Sequence, residues 1–357
     1  MHYESDMLKL IGNTPLFKLT KVAKDVKPNV FVKLENLNPS GSYKDRMALS
    51  MVEAAEKGLT WNGRKLERGG IVCDASAGNT APALAFVCAM KGYKAVLCTY
   101  KVYLVGDSAR LKITGSWGPE VYMCPVPPKD LLDQLEEKYH RIAYVLAGKA
   151  HMYNLEKENP NVIWIDQIYN PYNPEGHKVM GREIYRQLDG KIDAWGASVG
   201  SGGVLLGVTL GLKEFGVKPY TFAVTPYHPG PGEENKFKRT KKRGRLVEGG
   251  VGEDAARKKI LEYFGLEKWL TEKSICDTMY EMGYPDETFQ VTSEEARAMA
   301  NRLCKEEGIW CGMSSGANVF AALKVAETMD KDQNVVTTIV DRRDRYLGEY
   351  PNEIYIV

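Results

Sequence analysis

The chain has 357 residues, 44% apolar and 26% charged, the balance of an ordinary globular protein with room for two domains or one large one. A net charge of +2 gives no bulk electrostatic case for nucleic acid or a membrane surface, and no apolar run approaches the ~20 residues that cross a bilayer. The first residues, Met1 to Asp6, lack the basic and apolar regions of a secretory signal, and the seven scattered cysteines form no Cys-x-x-Cys pair, so they read as buried free thiols of a reducing cytoplasm.

In chain order, Phe31-Val32-Lys33-Leu34-Glu35 reads as a strand and Asn38-Pro39 as a turn. Gly41-Ser42-Tyr43-Lys44-Asp45-Arg46 follows, then a stretch with apolar residues at 47, 48, 51, 52 and 55, which is helical spacing. Lys44 thus sits where a strand turns into a helix, near backbone N–H donors and a positive helix end. A lysine held this way can form a Schiff base with a carbonyl cofactor. The plainer alternative is a surface lysine opening a helix.

Gly70 to Asp74 reads as the next strand, followed by a helix from Thr80 to Met90 with Pro82 in its first turn, where a missing N–H costs little. A strand at Lys94–Cys98, a helix around 106–114, a strand at Glu120–Met123 and a charged helix over 128–139 continue the alternation. Ile192 to Val199 then enters Gly200-Ser201-Gly202-Gly203-Val204 and a helix over 203–215. Glycines straight off a strand and opening a helix let backbone N–H groups close on a dianion. Gly200-x-Gly202-Gly203-x-x-x-Gly207 does not meet Gly-x-Gly-x-x-Gly, which argues against a dinucleotide loop and leaves a plain tight turn as the alternative.

Tyr220–Val224 reads as a strand, and Pro229 to Gly232 as a loop. Within Lys236 to Arg245 seven of ten residues are basic, either a solvated loop or a flap that attracts an anionic substrate. Thr292-Ser293-Glu294-Glu295 is a capping box opening a helix to Glu307. A helix over 316–329 precedes a strand at Val335–Val340. This alternation implies an α/β fold with parallel sheets covered by helices on both faces. The five histidines show no metal-ligand spacing, so no metal is expected.

Five motifs occur in order: Ile11-Gly12-Asn13-Thr14-Pro15-Leu16; Lys33-x-Glu35-x-x-Asn38-Pro39-x-Gly41-Ser42-x-Lys44-Asp45-Arg46; Ser76-Ala77-Gly78-Asn79-Thr80; Gly200-Ser201-Gly202-Gly203; and Gly312-Met313-Ser314-Ser315-Gly316-Ala317. Together they resemble the tryptophan-synthase-β-like (fold type II) pyridoxal-phosphate enzymes, most of all the cysteine synthase and cystathionine β-synthase branch. The resemblance runs from about residue 8 to about residue 347. It implies two α/β domains, each a mostly parallel twisted sheet flanked by helices. Residues 1–13 and 36–160 would form the smaller, with the cofactor lysine and the substrate-carboxylate loop. Residues 14–35 and 161–357 would form the larger, with the glycine loop.

By the same resemblance, Lys44 carries pyridoxal 5′-phosphate as a Schiff base and then acts as general base. Asn79 bonds the cofactor 3′-oxygen, and Gly200, Ser201, Gly202, Gly203 and Val204 hold its phosphate. Ser314 faces the pyridine nitrogen; read from the residues alone, Ser314-Ser315 is a helix N-cap. Ser76, Ala77, Gly78, Asn79 and Thr80 hold the substrate carboxylate at a helix start, and Gln167 and Gly250, the latter in Glu248-Gly249-Gly250-Val251-Gly252, line the substrate site. Because a serine hydroxyl cannot keep the ring nitrogen protonated as a carboxylate would, the cofactor is a weaker electron sink, suited to β-chemistry.

The implied function is β-replacement on a serine- or cysteine-type amino acid through an aminoacrylate, with a thiol, sulfide or amine as second substrate, in a cytoplasmic homodimer of amino-acid metabolism. Two alternatives stay open. One is β-elimination to a 2-oxo acid and ammonia, since threonine synthases and dehydratases also carry Ser-x-Gly-Asn loops. The other is a catalytically silent member acting as a binding partner. The chain departs from the family's pattern at or near the substrate and cofactor pockets. Ala77 lacks a hydroxyl, Val204 replaces a threonine, and Lys178-Val179-Met180-Gly181-Arg182-Glu183 follows His177 where cysteine synthases carry Thr-Thr-Gly-Pro-Glu. Asp341-Arg342-Arg343-Asp344-Arg345-Tyr346-Leu347 replaces Asp-x-Gly-x-Arg-Tyr-Leu. These changes put the substrate, rather than the cofactor, in question.

Overall fold

The computed structural model describes residues 3–100, 109–227, 229, 234–240, 253–266 and 272–349. Its strands are β1 (Leu16–Lys18), β2 (Asn29–Leu34), β3 (Ile71–Ala75), β4 (Lys94–Thr99), β5 (Glu120–Met123), β6 (Val162–Trp164), β7 (Ala194–Ser198), β8 (Tyr220–Tyr227), β9 (Lys238–Thr240), β10 (Glu287–Thr292) and β11 (Asn334–Ile339). Its α-helices are α1 (Lys44–Glu56), α2 (Thr80–Lys91), α3 (Ala109–Gly115), α4 (Lys129–Leu132), α5 (His140–Glu158), α6 (Tyr172–Gln187), α7 (Gly203–Lys213), α8 (Glu253–Tyr263), α9 (Ile275–Glu281), α10 (Ser293–Glu307) and α11 (Met313–Ala326).

The strands form two sheets. One has seven strands in the order β1-β2-β11-β7-β8-β10-β9, parallel except for β1 against β2 and β9 against β10. The other has four parallel strands in the order β5-β4-β3-β6. This is the expected α/β architecture. Backbone contacts divide the chain into Met1–Met47, Pro171–Gly244 and Ile275–Asp344 on one side and Ala48–Asn170, Arg245–Ser274 and Arg345–Val357 on the other. Those breaks follow the sheets, whereas the expected boundaries fell at 13/14, 35/36 and 160/161.

In the seven-stranded unit, Val30, Val32, Phe222, Val224, Phe289 and Val335 pack under α10 and α11 in one layer. Met180, Ile184, Leu205 and Val208 of α6 and α7 cover Trp195, Ala197 and Val336 in another. In the four-stranded unit Cys73, Val96, Trp164, Leu146, Ala150 and Ile260 form the main core. At ~25 cal/mol per Å² of apolar surface, such burial is the main stabilising term for each.

Several local expectations need correction. The charged helix over 128–139 is instead the one-turn α4 and a 3-10 turn at Glu137–Tyr139, broken by the bend between them. Two long helices, α5 and α6, had no expectation at all. The buried face of α6 carries Asn173, His177 and Glu183, so its apolar period is interrupted. The α10 capping box is present as read, with Glu295 N–H donating to the Thr292 hydroxyl at 3.2 Å. Free thiols hold for Cys73, Cys88, Cys276, Cys304 and Cys311, but Cys98 and Cys124 are joined as a disulfide. Parallel pairing of β4 with β5 sets Thr99 beside Met123, which brings the two cysteines together in a way no spacing motif encodes. Residues 106–108 of the helix expected around 106–114 lie outside the described residues. No helix among the described residues is long and apolar enough to cross a membrane.

Candidate active site

Open parallel sheets bind ligands beyond the carboxyl ends of their strands. In the larger sheet β2, β11 and β7 are parallel neighbours, and their carboxyl ends lead to the Lys44 turn, Val340–Arg342 and the glycine loop. The Lys44 turn is stitched to the end of β11. Tyr43 N–H donates to Val340 O at 3.1 Å, Arg342 N–H donates to Gly41 O at 3.1 Å, and Ser42 bridges Asp341. Gly41 has φ +90°, a conformation that side chains resist, which lets the chain reverse into α1. Lys44 is the first residue of α1, as its sequence context implied.

Below that turn lies a cluster of buried charges. Arg46 bonds Glu35 at 2.7 and 2.9 Å and Glu183 at 2.8 and 2.7 Å. Lys33 Nζ reaches Glu183 at 2.7 Å and Thr14 O at 2.6 Å. Burial alone would raise the Glu183 carboxyl, but Arg46 and Lys33 outweigh it and hold the group at about 2. Burial and Arg46 act on Glu35 in the same opposed way, again with a lowered result. Asp45 is anchored by Ser40 N–H at 2.7 Å. Lys44 is therefore followed by two residues, Asp45 and Arg46, whose side chains are held in place.

The glycine loop forms the N-terminus of α7. Gly202 has φ +85°, and a Cβ on Gly203 would lie 2.0 Å from Asn173 Oδ1. Asn173 Nδ2 donates to the Ser201 hydroxyl at 3.0 Å, while the Cβ side of Gly200 is open. Val204 points into the core, so only its backbone is available to a ligand. His177, one turn along α6 from Asn173, is fully buried, and neither ring nitrogen has a hydrogen-bond partner among the described residues; its ring lies 5.6 Å from that of Tyr43. Burial, then Lys44 and Arg46, push it far below the usual imidazole range, so it is neutral.

Ser314 lies half-buried in the first turn of α11. The N-cap reading does not hold: Gly312 is the N-cap, without a side-chain cap bond. The Ser315 hydroxyl accepts from Val340 N–H at 2.9 Å instead, tying α11 to the end of β11.

In the smaller sheet β3 and β6 are neighbours, so Ser76–Thr80 after β3 and Asp166–Gln167 after β6 emerge side by side. Thr80 Oγ1 donates to Gln167 Oε1 at 2.7 Å, and Gly78 N–H donates to Ser76 Oγ at 3.1 Å. Asn79 occupies the N-cap of α2 but does not cap it with its side chain. Instead Asn79 Oδ1 accepts from Arg345 Nε at 2.7 Å. Ala77 packs on the core, and its carbonyl accepts from Arg110 at 3.3 Å. Gly250 lies outside the described residues.

Sequence reasoning missed Asn173, Glu183, Arg110 and Arg345 and used His177 only as a landmark. The i, i+4 spacing of Asn173 and His177 was the one available signal; the rest depend on contacts far apart in the chain.

The site fits a phosphate-bearing carbonyl cofactor: a lysine at a helix start, and a glycine cradle whose Gly203 has no room for a side chain at the N-terminus of an 11-residue helix. Comparison with known proteins agrees. The family described as pyridoxal-phosphate dependent enzyme matches residues 7–341. Cysteine synthase 1 of Emericella nidulans is 34% identical over 348 residues, 96% of this chain and 84% of that protein. The cysteine synthase of Entamoeba histolytica superposes with a TM-score of 0.73 at 25% identity, over 99% of this chain and 92% of that one. A hydrogen sulfide-producing enzyme of Fusobacterium nucleatum superposes with a TM-score of 0.72 at 25% identity, over 97% and 99%.

Proposed function

The chain belongs to the pyridoxal-phosphate dependent enzyme family, and we propose that within it the protein catalyses β-replacement on a serine- or cysteine-type amino acid, with a thiol, sulfide or amine as nucleophile. The observation that carries this reading is the Lys44 turn tied to the end of β11, with the glycine loop leaving the neighbouring strand β7. When bound, pyridoxal phosphate supplies an electron sink for negative charge at the substrate α-carbon. Lys44 would be its covalent anchor, and the Lys44 Nζ would serve as the general base for the substrate α-proton. The N–H groups of Gly200–Val204 and the Ser201 hydroxyl bind the phosphate dianion, with Asn173 orienting that hydroxyl. Ser314 would face the ring nitrogen as a neutral partner, and Asn79 would donate to the 3′-oxygen. The N-terminus of α2, Ser76, Gly78, Thr80 and Gln167 bind the substrate carboxylate. Ala77 contributes only its backbone, so the substrate is held with one hydroxyl fewer than the family's pattern provides. A cytoplasmic homodimer is part of the same proposal, carried over from the family resemblance of the sequence.

A second reading, β-elimination to a 2-oxo acid and ammonia, is equally in keeping with the likeness to the hydrogen sulfide-producing enzyme, because sulfide leaves cysteine in either reaction. Product analysis with β-substituted alanines, with and without added thiol, separates the two. Replacement predicts a thiol-dependent thioether amino acid; 2-oxo acid unaffected by thiol supports elimination. Cofactor absorbance without turnover of any amino acid would instead indicate a binding protein.

A further inference from the structure

Arg345 sits in the 3-10 helix Arg343–Glu349 with only 2% of its surface exposed, and no role assigned above uses its charge. Its Nε–H donates to Asn79 Oδ1 at 2.7 Å. A guanidinium carries donors and no acceptor, so the atom that faces it must be the amide oxygen and never the amide nitrogen. The contact therefore decides which way the Asn79 amide is turned. Oδ1 is taken by Arg345, and Nδ2 is directed elsewhere. The next residue, Tyr346, lies under the Arg110 guanidinium at 4.8 Å, and Arg110 holds the Ala77 carbonyl. Arg345 and Tyr346 thus brace the Ser76–Thr80 loop at two points, one on either side of Gly78. All of these residues belong to the same unit of the chain.

We propose that Arg345 is a positioning residue that fixes the Asn79 amide with its NH₂ forward, so that Asn79 donates to the anionic 3′-oxygen of the cofactor. The proposal rests on the reading of Asn79 given above. With the amide reversed, a carbonyl oxygen would face that anion and repel it. A bond from a charged donor is stronger than a neutral one, and it polarises the amide so that its N–H groups become better donors. It also explains why Asn79, at the N-cap of α2, makes no cap bond with its side chain.

The test is a double-mutant cycle on the holoenzyme with Arg345→Met, Asn79→Ala and both together. Two quantities are read: the pH at which the cofactor's visible absorbance changes, and the cofactor Kd on reconstituting the apoenzyme. Loss of a donor to the 3′-oxygen raises the transition pH. Each single variant should do so and weaken cofactor binding about tenfold. The double variant should be no worse than either single, because both remove the same hydrogen bond. Arg345→Lys, which keeps a charged donor, should restore part of the shift, an effect that simple loosening of the fold would not produce. Should Arg345→Met not fold, Arg345→Gln replaces it in the cycle. Additive shifts, or a shift in Asn79→Ala with none in the Arg345 variants, would overturn the proposal. No change in Asn79→Ala itself would remove the reading of Asn79, and the proposal with it.

Discussion

The two units of the chain bury charge in opposite ways. In the seven-stranded unit Arg46 pairs with both Glu35 and Glu183, and Lys33 pairs with Glu183, two cations against two anions, while Thr14 and Asn38 donate to the same two Glu35 oxygens that Arg46 holds. In the four-stranded unit Asp74, Asp166 and Lys149 set two carboxylates against one ammonium. Lys149 pairs with Asp166 at 2.7 Å, Asp74 accepts from Trp164 Nε1 at 3.2 Å, and among the described residues one oxygen of each carboxylate has no hydrogen bond. Burial, then Asp166, push Asp74 up to about 7. A complete network holds its charges against acid, whereas an incomplete one titrates near neutrality. The first lies under the turn that begins with Lys44, where a fixed lysine is needed. The second centres on Asp74 of β3, beside the Ser76–Thr80 loop, with Lys149 of α5 and Asp166 after β6.

The largest effect that would break this contrast is expected at Glu183. Glu183→Ala leaves Arg46 and Lys33 short of a buried partner and should cost about 3–5 kcal/mol in urea denaturation. A cost below ~1 kcal/mol would mean that the network does not lock the turn. Because the folded Glu183 carboxyl lies at about 2 against an unfolded value of 4.5, its stabilisation is present above pH 4.5 and is lost as pH falls towards 2.

Asp74 should give the opposite sign. Its folded value, about 7, exceeds its unfolded value of 3.8, so the native state holds a proton that the unfolded state has released. Its contribution is fully present below pH 3.8 and is lost as pH rises through about 7. At ~1.4 kcal/mol per unit this is a few kcal/mol, and Asp74→Asn should flatten the decline in stability between pH 5 and pH 8. A parent protein whose stability does not fall over that range would contradict the incomplete-network account.

The smallest effect is expected in the basic run, at the exposed edge of the larger sheet. Lys236–Thr240 is not a loop: its last three residues form β9, a short charged edge strand that discourages further pairing. Arg239 is committed to buried Glu287, and Lys238 lies 4.4 Å from the Tyr227 ring centroid. Lys238→Gln should change stability by no more than about 1 kcal/mol. Measured at two salt concentrations, its kcat/KM for neutral and anionic substrates should change alike; a loss confined to the anionic substrate at low salt would restore the flap reading. Residues 241–245 and Glu248–Gly252 lie outside the described residues.

Much of this was legible in advance where local chemistry decides. The strand-turn-helix at Lys44, the glycine loop and the Thr292 capping box all appear where their residues imply, because glycine φ, caps and apolar spacing act within a few residues. Partners far apart in sequence were not legible. Arg46 meets Glu183 and Arg345 meets Asn79 only once strands are ordered in a sheet. Ser315 illustrates the limit: its type suits a cap, yet its hydroxyl serves Val340 because β11 ends beside it.

The central claim is that Lys44 is the cofactor's anchor. Reducing the holoenzyme with borohydride and mapping the modified peptide by mass spectrometry tests it directly. The account predicts a pyridoxyl group on Lys44 alone, with no attachment in Lys44→Ala. The same label on another lysine, in the parent or in Lys44→Ala, would contradict it.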